Sequence, residues 1–476
     1  MKTTPIRLLT AWALAALVAA CSDGGPGGPD DPGDGIPDGE LAIVWDGRTV
    51  DWGAPEIRRA EIDGEPVAVE WRSLSDDYLG SPVELGRGAE TTTAPLRPGT
   101  TTVEARILSG STVAKRATAD VTVRYREGWN LTFLGMIPYP DGTVGDVWVV
   151  DETAFVARRH AGGISILDLD AIQEIGRFTA PDLFTQDVKA AGGVAYVSNE
   201  TDLYPFAVTL LDVSDPTAPV VLGGVPTAAV GVAHNLWIDG GLLALASQAT
   251  RAIHLYDVSD PAAPAALADL HATDAVAHDV HVRDDRLYGS YMALSDGQVA
   301  ELTLATIADP ANPVVTSRAG YPGAHLTHSS WLAADGRTLY VADEIVNAPI
   351  RIFDVSDPAA PELLGTYQPR LGTIPHNFQV RDGRFAYLAH YKHGMEVVDV
   401  SDPTRPRLVG FWDTHPGQAA DVDPHGSLSV SRDLSAAHEK EGQLYEGAWG
   451  VHWTDDGRIV VSDMNRGVFL FRYTGS

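Results

Sequence analysis

The chain has 476 residues, a formal net charge of −30 at pH 7 and a single cysteine. That length exceeds one small domain and suits two, and the acidic balance argues against a nucleic-acid partner and against electrostatic adhesion to anionic lipid. One cysteine excludes an intrachain disulfide, so stability must come from a large core.

The chain begins MKTTPIRLLTAWALAALVAAC, with Lys2 and Arg7 ahead of an apolar run from Leu8 to Ala20. A basic flank, a short apolar core and small residues at its end read as a secretory signal, and the run is too short to cross a bilayer comfortably. Residues 1–20 resemble a bacterial lipoprotein signal, with Cys21 in the position that is lipidated and becomes the new N-terminus. The resemblance implies export and lipid anchoring in the bacterial cell envelope, at the outer membrane or cell surface. Its membrane partner would be held through acyl chains, at about 0.8 kcal/mol per buried methylene. Residues 21–40 continue with Gly, Pro and Asp, a composition that builds no core and reads as an extended tether.

From residue 41 to 125, short runs such as LAIVW, VAVEW and TTVEARIL alternate apolar and polar positions between turn clusters such as IDGEP and LRPGT. Period-two patterning at this spacing predicts an all-β sandwich. The stretch LRPGTTTVEARILSGSTVAKRATADVTVRY resembles the last strands of bacterial Ig-like or PKD-type domains. That resemblance implies a spacer between the membrane and the rest of the chain.

From Trp129 onward the chain repeats itself. DVSDPTAP begins at Asp212, DVSDPAAP at Asp257 and Asp354, and DVSDPTRP at Asp399, with a worn copy, TIADPANP, at Thr306. Successive spacings of 45, 49, 48 and 45 residues belong to a solenoid or a propeller. Each unit reads as four strands with SDPxxP as the corner before the last, where Asp accepts nearby amides and Pro fixes φ. Four strands per unit make a propeller blade. The copies of DVSDPxxP resemble the LVIVD-repeat family from residue 129 to the C-terminus, which implies a β-propeller on a bacterial surface and assigns no chemistry. First strands of the units begin at Gly145, Gln186, His234, His278, His328, His376 and Trp449, which predicts seven blades. The last unit stops after three strands, and WNLTFLGMIPYP at Trp129 matches the missing fourth. The expectation is therefore an all-β chain, a small Ig-like β-sandwich followed by a seven-bladed propeller over 129–476. Its ring would be closed by its own first strand, which removes exposed edges.

In such a ring the first strand of each unit lines the central channel. His234, His278, His328 and His376 then share one half of one channel mouth, with Asn235, Asp279 and Asn377 beside them and Trp449 opposite. Loops expected on the same face bring Asp343, Glu344, His390 and His393 as further candidates, and 413–446 forms a long lid-like insertion carrying His415, His425 and His438. Three readings follow. The histidines are a packing habit of the repeat; or the mouth binds a protein, peptide, glycan or small ligand, making the chain a scaffold; or the imidazoles hold Fe, Cu, Zn or Ni in a metal-dependent enzyme of oxidoreductase type, with Asn and Asp orienting the rings. The last arrangement is similar to the four-histidine iron site of carotenoid-cleaving oxygenases, none of whose sequence motifs is present. There is no nucleophile elbow, phosphate loop or HExxH helix, and His254, His271 and His281 read as surface or interblade residues.

Overall fold

The computed structural model describes residues 36–45, 49–54, 56–74, 82–140, 144–272, 274–293, 299–321, 324, 326–372, 374–416 and 445–475. The expected signal, Cys21, most of the tether, and residues 417–444 of the expected lid with His425 and His438 lie outside the described residues.

Residues 41–124 form two sheets. One joins Leu41–Val44, Ile57–Ile62, Glu65–Pro66 and Glu90–Thr92; the other runs Thr49–Asp51, Thr112–Arg124, Gly99–Ser109, Val69–Ser73, Val83–Gly88. The alternation seen in sequence sets the faces: in Ile57–Ile62, Arg58, Ala60 and Ile62 are buried while Ile57 and Arg59 are exposed. Trp52, Trp71 and Leu96 fill the centre of this region and are fully buried.

The rest of the described chain is a series of seven four-stranded antiparallel sheets; its one helix, Thr227–Val230, has four residues. Their innermost strands are β1 (Val144–Val150), β2 (Val188–Ala191), β3 (Asn235–Asp239), β4 (Val276–Arg283), β5 (Thr327–Leu332), β6 (Phe378–Arg381) and β7 (Ala448–Trp453). Each packs against the next, and β7 returns to β1, so the seven close a ring with a propeller-like arrangement. In the seventh sheet the outermost place is taken by Leu131–Pro138, paired antiparallel with Gly467–Tyr473 from Leu131↔Tyr473 to Pro138↔Gly467. Gly128–Trp129 adds a fifth strand to the outer edge of the sixth sheet.

The SDPxxP corners work as their chemistry requires. The carboxylates of Asp212, Asp257 and Asp354 accept the amides of Ser214, Ser259 and Ser356 at 2.9, 2.9 and 2.8 Å. The second Asp of each corner accepts the amide two residues on, as in Asp215 to Thr217 at 3.0 Å. The corners at Asp212, Asp257 and Asp399 then lodge on a glycine of the preceding sheet's outer strand, Gly176, Gly223 and Gly365. A Cβ on Gly176 would stand 1.9 Å from the Pro216 carbonyl oxygen, and one on Gly365 would stand 2.5 Å from that of Pro403.

The N-terminal sheets are docked on the ring. The Arg370 guanidinium, fully buried, lies 4.3 Å from the Trp52 ring and 4.1 Å from the Phe411 ring, and donates to Glu396 at 2.7 Å. The Leu371 amide donates to the Pro95 carbonyl at 2.7 Å, and the Tyr125 hydroxyl to Asp413 at 2.9 Å. One hydrophobic cluster runs from Trp52 and Trp71 through Phe411 into the fifth and sixth sheets.

Candidate functional site

A strand in regular extension sends alternate side chains to opposite faces, so two consecutive residues should not both face the axis. Here they do, because the inner strands bulge. Pairing slips between Val144 and Val147 in β1, Ala277 and Asp279 in β4, Thr327 and Ser329 in β5, and Ala448 and Gly450 in β7. A bulge sets two residues against one and re-aims both. The channel is therefore lined in layers. Gln186, His234, His278, His328, His376 and Trp449 line its mouth, together with Asp146, Asp187, Asn235 and Asn377. Asp146, Asn235, Asp279, Ser329 and Asn377 also line a deeper chamber with Trp148, Lys189, Trp237, Trp331 and Gln379.

At the mouth, the rings form a continuous arc. Centroids are 4.2 Å apart for His234 and His278, 4.3 Å for His278 and His328, 4.4 Å for His328 and His376, and 4.2 Å for His376 and Trp449. His278 Nδ1 donates to the His328 carbonyl at 3.1 Å, and His376 Nδ1 to the Trp449 carbonyl at 2.7 Å. A carbonyl can only accept, so each Nδ1 carries the proton and each neutral ring keeps its lone pair on Nε2. Burial lowers all three of these pKa values, taking His376 down to about 3 and His278 and His328 well below the ordinary histidine range. These are neutral imidazoles.

Glu344 faces them. Its two oxygens lie 3.8 Å from His328 Nε2 and 3.9 Å from His376 Nε2, and the Tyr391 hydroxyl donates to it at 2.6 Å. Ligand atoms of His278, His328 and Glu344 all lie within 4.8 Å of one another. Distances of 3.8 and 3.9 Å are too long for hydrogen bonds. They are close to what one ion permits, since two ligands each about 2.1 Å from a first-row metal are at most about 4.2 Å apart.

His234 behaves differently. Its Nδ1 is in contact with Glu200, whose other oxygen accepts from Gln186 Nε2 at 2.7 Å. Burial would lower the His234 pKa, but the Glu200 carboxylate outweighs it and the value is raised. Of the four histidines expected to converge, three surround Glu344 as neutral rings and the fourth is in contact with a different acid, which raises its pKa.

Three other expected residues are not brought to the mouth. Asp343 is fully buried against Arg351 and accepts from Tyr321 at 3.1 Å. His390 lies 3.7 Å from Glu396, and His393 meets the Trp52 ring edge-on at 5.1 Å. The loop that carries both histidines sends Tyr391 to the mouth, 4.8 Å from the His376 ring, while His393 packs on the N-terminal Trp52. Asp279 does face the chamber, where burial, with Asp187 and Asp146 close by, pushes its carboxyl up to about 8 despite Lys189. Asn235 accepts the Leu236 amide at 2.7 Å, and Asn377 donates to Asp146 at 3.0 Å.

Sequence reasoning missed a deeper layer: Trp148, Lys189, Trp237, His281, Trp331, Gln379 and His452. Each stands two positions beyond the Asp, Asn, Ser or Gly that follows the mouth residue, so a period-two count from there finds it. His281, expected at the surface or between blades, packs instead against Trp237 at 4.2 Å and Trp331 at 5.0 Å. Lys189 Nζ bonds Asp146 at 3.0 Å and also Asp187. Burial opposes its charge, but the two carboxylates prevail and raise its pKa.

The family model described as LVIVD repeat matches residues 184–227, 328–368 and 381–414. The chain carries LVIVD repeats. Those matches span the second and fifth sheets and most of the sixth, so the LVIVD unit supplies histidine-bearing strands to the mouth at His328. No curated protein matches the chain. Among solved structures, it is similar to the computationally designed Ika8 protein, at 7% identity over 91% of this chain and 96% of that one, with a TM-score of 0.45. It is also similar to YCF48 bound to D1 peptide, at 10% identity over 74% and 96%, with a TM-score of 0.48.

Proposed function

We propose that the chain is a lipid-anchored protein of the bacterial cell envelope. An Ig-like domain precedes a seven-bladed LVIVD propeller, whose histidine-bearing mouth binds a divalent first-row transition metal. The observation that carries the metal is the trio of neutral imidazoles, His278, His328 and His376, around the Glu344 carboxylate. Nitrogen donors with one carboxylate suit Fe, Zn, Cu or Ni. Backbone carbonyls holding Nδ1 of His278 and His376 are the outer partners such ligands need. The same two bonds reach across to neighbouring sheets, which favours a second reading in which the histidines staple the ring.

Metal content separates the readings. Mass spectrometry of the purified chain, after chelation and reconstitution, is expected to give near-stoichiometric metal. A His278→Ala/His376→Ala double variant is expected to lose it while Glu344→Gln weakens it. A wild type that takes up no metal, with the double variant merely less stable, leaves the staple reading. The anchor rests on Cys21 behind an apolar run of suitable length. Cys21→Ser should move the protein from the membrane fraction to the soluble one, and an unchanged distribution would remove the lipid.

A further inference from the structure

Arg159 follows the second strand of the first sheet, Thr153–Arg158, and reaches the mouth at Trp449. Its guanidinium carbon lies 4.6 Å from the Trp449 ring and 5.4 Å from the Phe184 ring. One terminal nitrogen contacts Met464 Sδ at 3.9 Å. Its Nε is buried and has no hydrogen-bond partner among the described residues. Glu200 and Glu344 act on it through space, yet it makes no ion pair among the described residues. Of the five buried arginines among the described residues, Arg351, Arg370 and Arg458 each face a carboxylate. Held between two aromatic rings and a thioether, Arg159 is positioned but not neutralised, and a largely buried cation left that way is unfavourable.

The mouth's charges give the missing partner its sign. Glu200 contacts His234, Glu344 faces the imidazoles, and Asp146 and Asp187, which also line the mouth, are bound to Lys189. A divalent ion at Glu344 would add positive charge beside Arg159 and strengthen its attraction for an anion. A guanidinium fork with an unused Nε is shaped for two parallel bonds to an oxyanion.

We infer that Arg159 seats the oxyanion of a ligand, a carboxylate or a phosphate, against Trp449 at the edge of the histidine arc. This deepens the reading of the mouth as a binding site by naming the ligand class, and it rests on that reading for the ion beside the anion. The probes are acetate and inorganic phosphate. Each is titrated into the full chain, metal-free after chelation and again after zinc loading, and followed through the Trp449 indole resonance.

Wild type should bind at least one probe saturably. Arg159→Gln should bind about 10- to 100-fold more weakly, the loss of a charge-assisted bond or two, and Arg159→Lys should fall between. Circular dichroism checks that both variants keep the fold. Acetate alone binding would name a carboxylate ligand, and phosphate alone a phosphate. Affinity unchanged in Arg159→Gln, or no saturable binding of either anion to either form of the wild type, overturns the inference. Arg159-dependent anion binding in a chain that takes up no metal would leave the anion seat standing and defeat the metal reading alone.

Discussion

At the scale of single residues, the channel is governed by which buried charges have partners. Lys189 is the cation at its centre, 7% exposed, with Asp146 and Asp187 on either side and Asp279 beyond. The pair Asp146 and Lys189 is additionally tied by Asn377 from the opposite side of the ring, and Asp187 accepts the Leu236 amide at 2.9 Å. Removing one partner of such a set strands the others in a low-dielectric interior, a loss of about 3–5 kcal/mol. Lys189→Met should therefore lower the denaturation midpoint by an amount of that size, and adding Asp187→Asn should restore part of it. A midpoint left unchanged by Lys189→Met would mean the acids are solvated in the channel and Lys189 does not stabilise it. The imidazoles above face the opposite problem. They are buried without charge, and for His278 and His376 carbonyls satisfy the Nδ1 protons and leave the Nε2 side open to a Lewis acid, whereas His328 Nδ1 has no hydrogen-bond partner among the described residues.

Among the elements, the repeated corner and the glycine beneath it are one device split between neighbouring sheets. The sequence makes the corner plain, because Asp and Pro act locally. The glycine is less visible, since the close approach of Gly176 to the Pro216 carbonyl joins positions 40 residues apart. Gly176→Ala must push the next corner outward and should cost about 1–3 kcal/mol as overpacking. Gly320→Ala, whose nearest neighbour would be 3.8 Å away, should be close to neutral in the same denaturation experiment. Equal effects would detach the glycine from the corner.

This split also explains what could be read in advance. The inner strands, the closing strand Leu131–Pro138 and the histidine arc follow from period and spacing. The bulges do not, because one residue of slippage leaves the apolar pattern intact. Nor do Glu200 and Arg159, which lie on the loops joining the second and third strands of the second and first sheets, where repeat spacing does not say which side chain turns to the mouth.

For the whole molecule, the decisive feature is the seat of the N-terminal sheets on the sixth sheet of the ring. Composition and patterning make the two regions look independent, and nothing in VAVEW or LRPGT announces a surface. The contact is built from residues scattered over the chain: Trp52, Pro95, Tyr125, Arg370, His393, Phe411 and Asp413. At its centre Arg370 is fully enclosed, bonded to Glu396 at 2.7 Å and to the His393 carbonyl at 2.5 Å, with Tyr367 on the other Glu396 oxygen at 2.7 Å. Aromatic faces on Arg370 add to this, since a desolvated guanidinium over a ring is worth about 2 kcal/mol. The two regions should then unfold together. Arg370→Met leaves Glu396 buried without its cation and takes the polar centre out of the seat. Calorimetry should turn one transition into two, the earlier falling by an amount consistent with about 3–5 kcal/mol. Limited proteolysis should at the same time open the junction near Tyr125 and Arg126. Adding Glu396→Gln should recover stability without restoring the single transition, because the guanidinium that bridges Trp52 and Phe411 is still gone. One transition at the original temperature in Arg370→Met would mean that the apolar contact around Trp52 and Phe411 suffices to couple the regions.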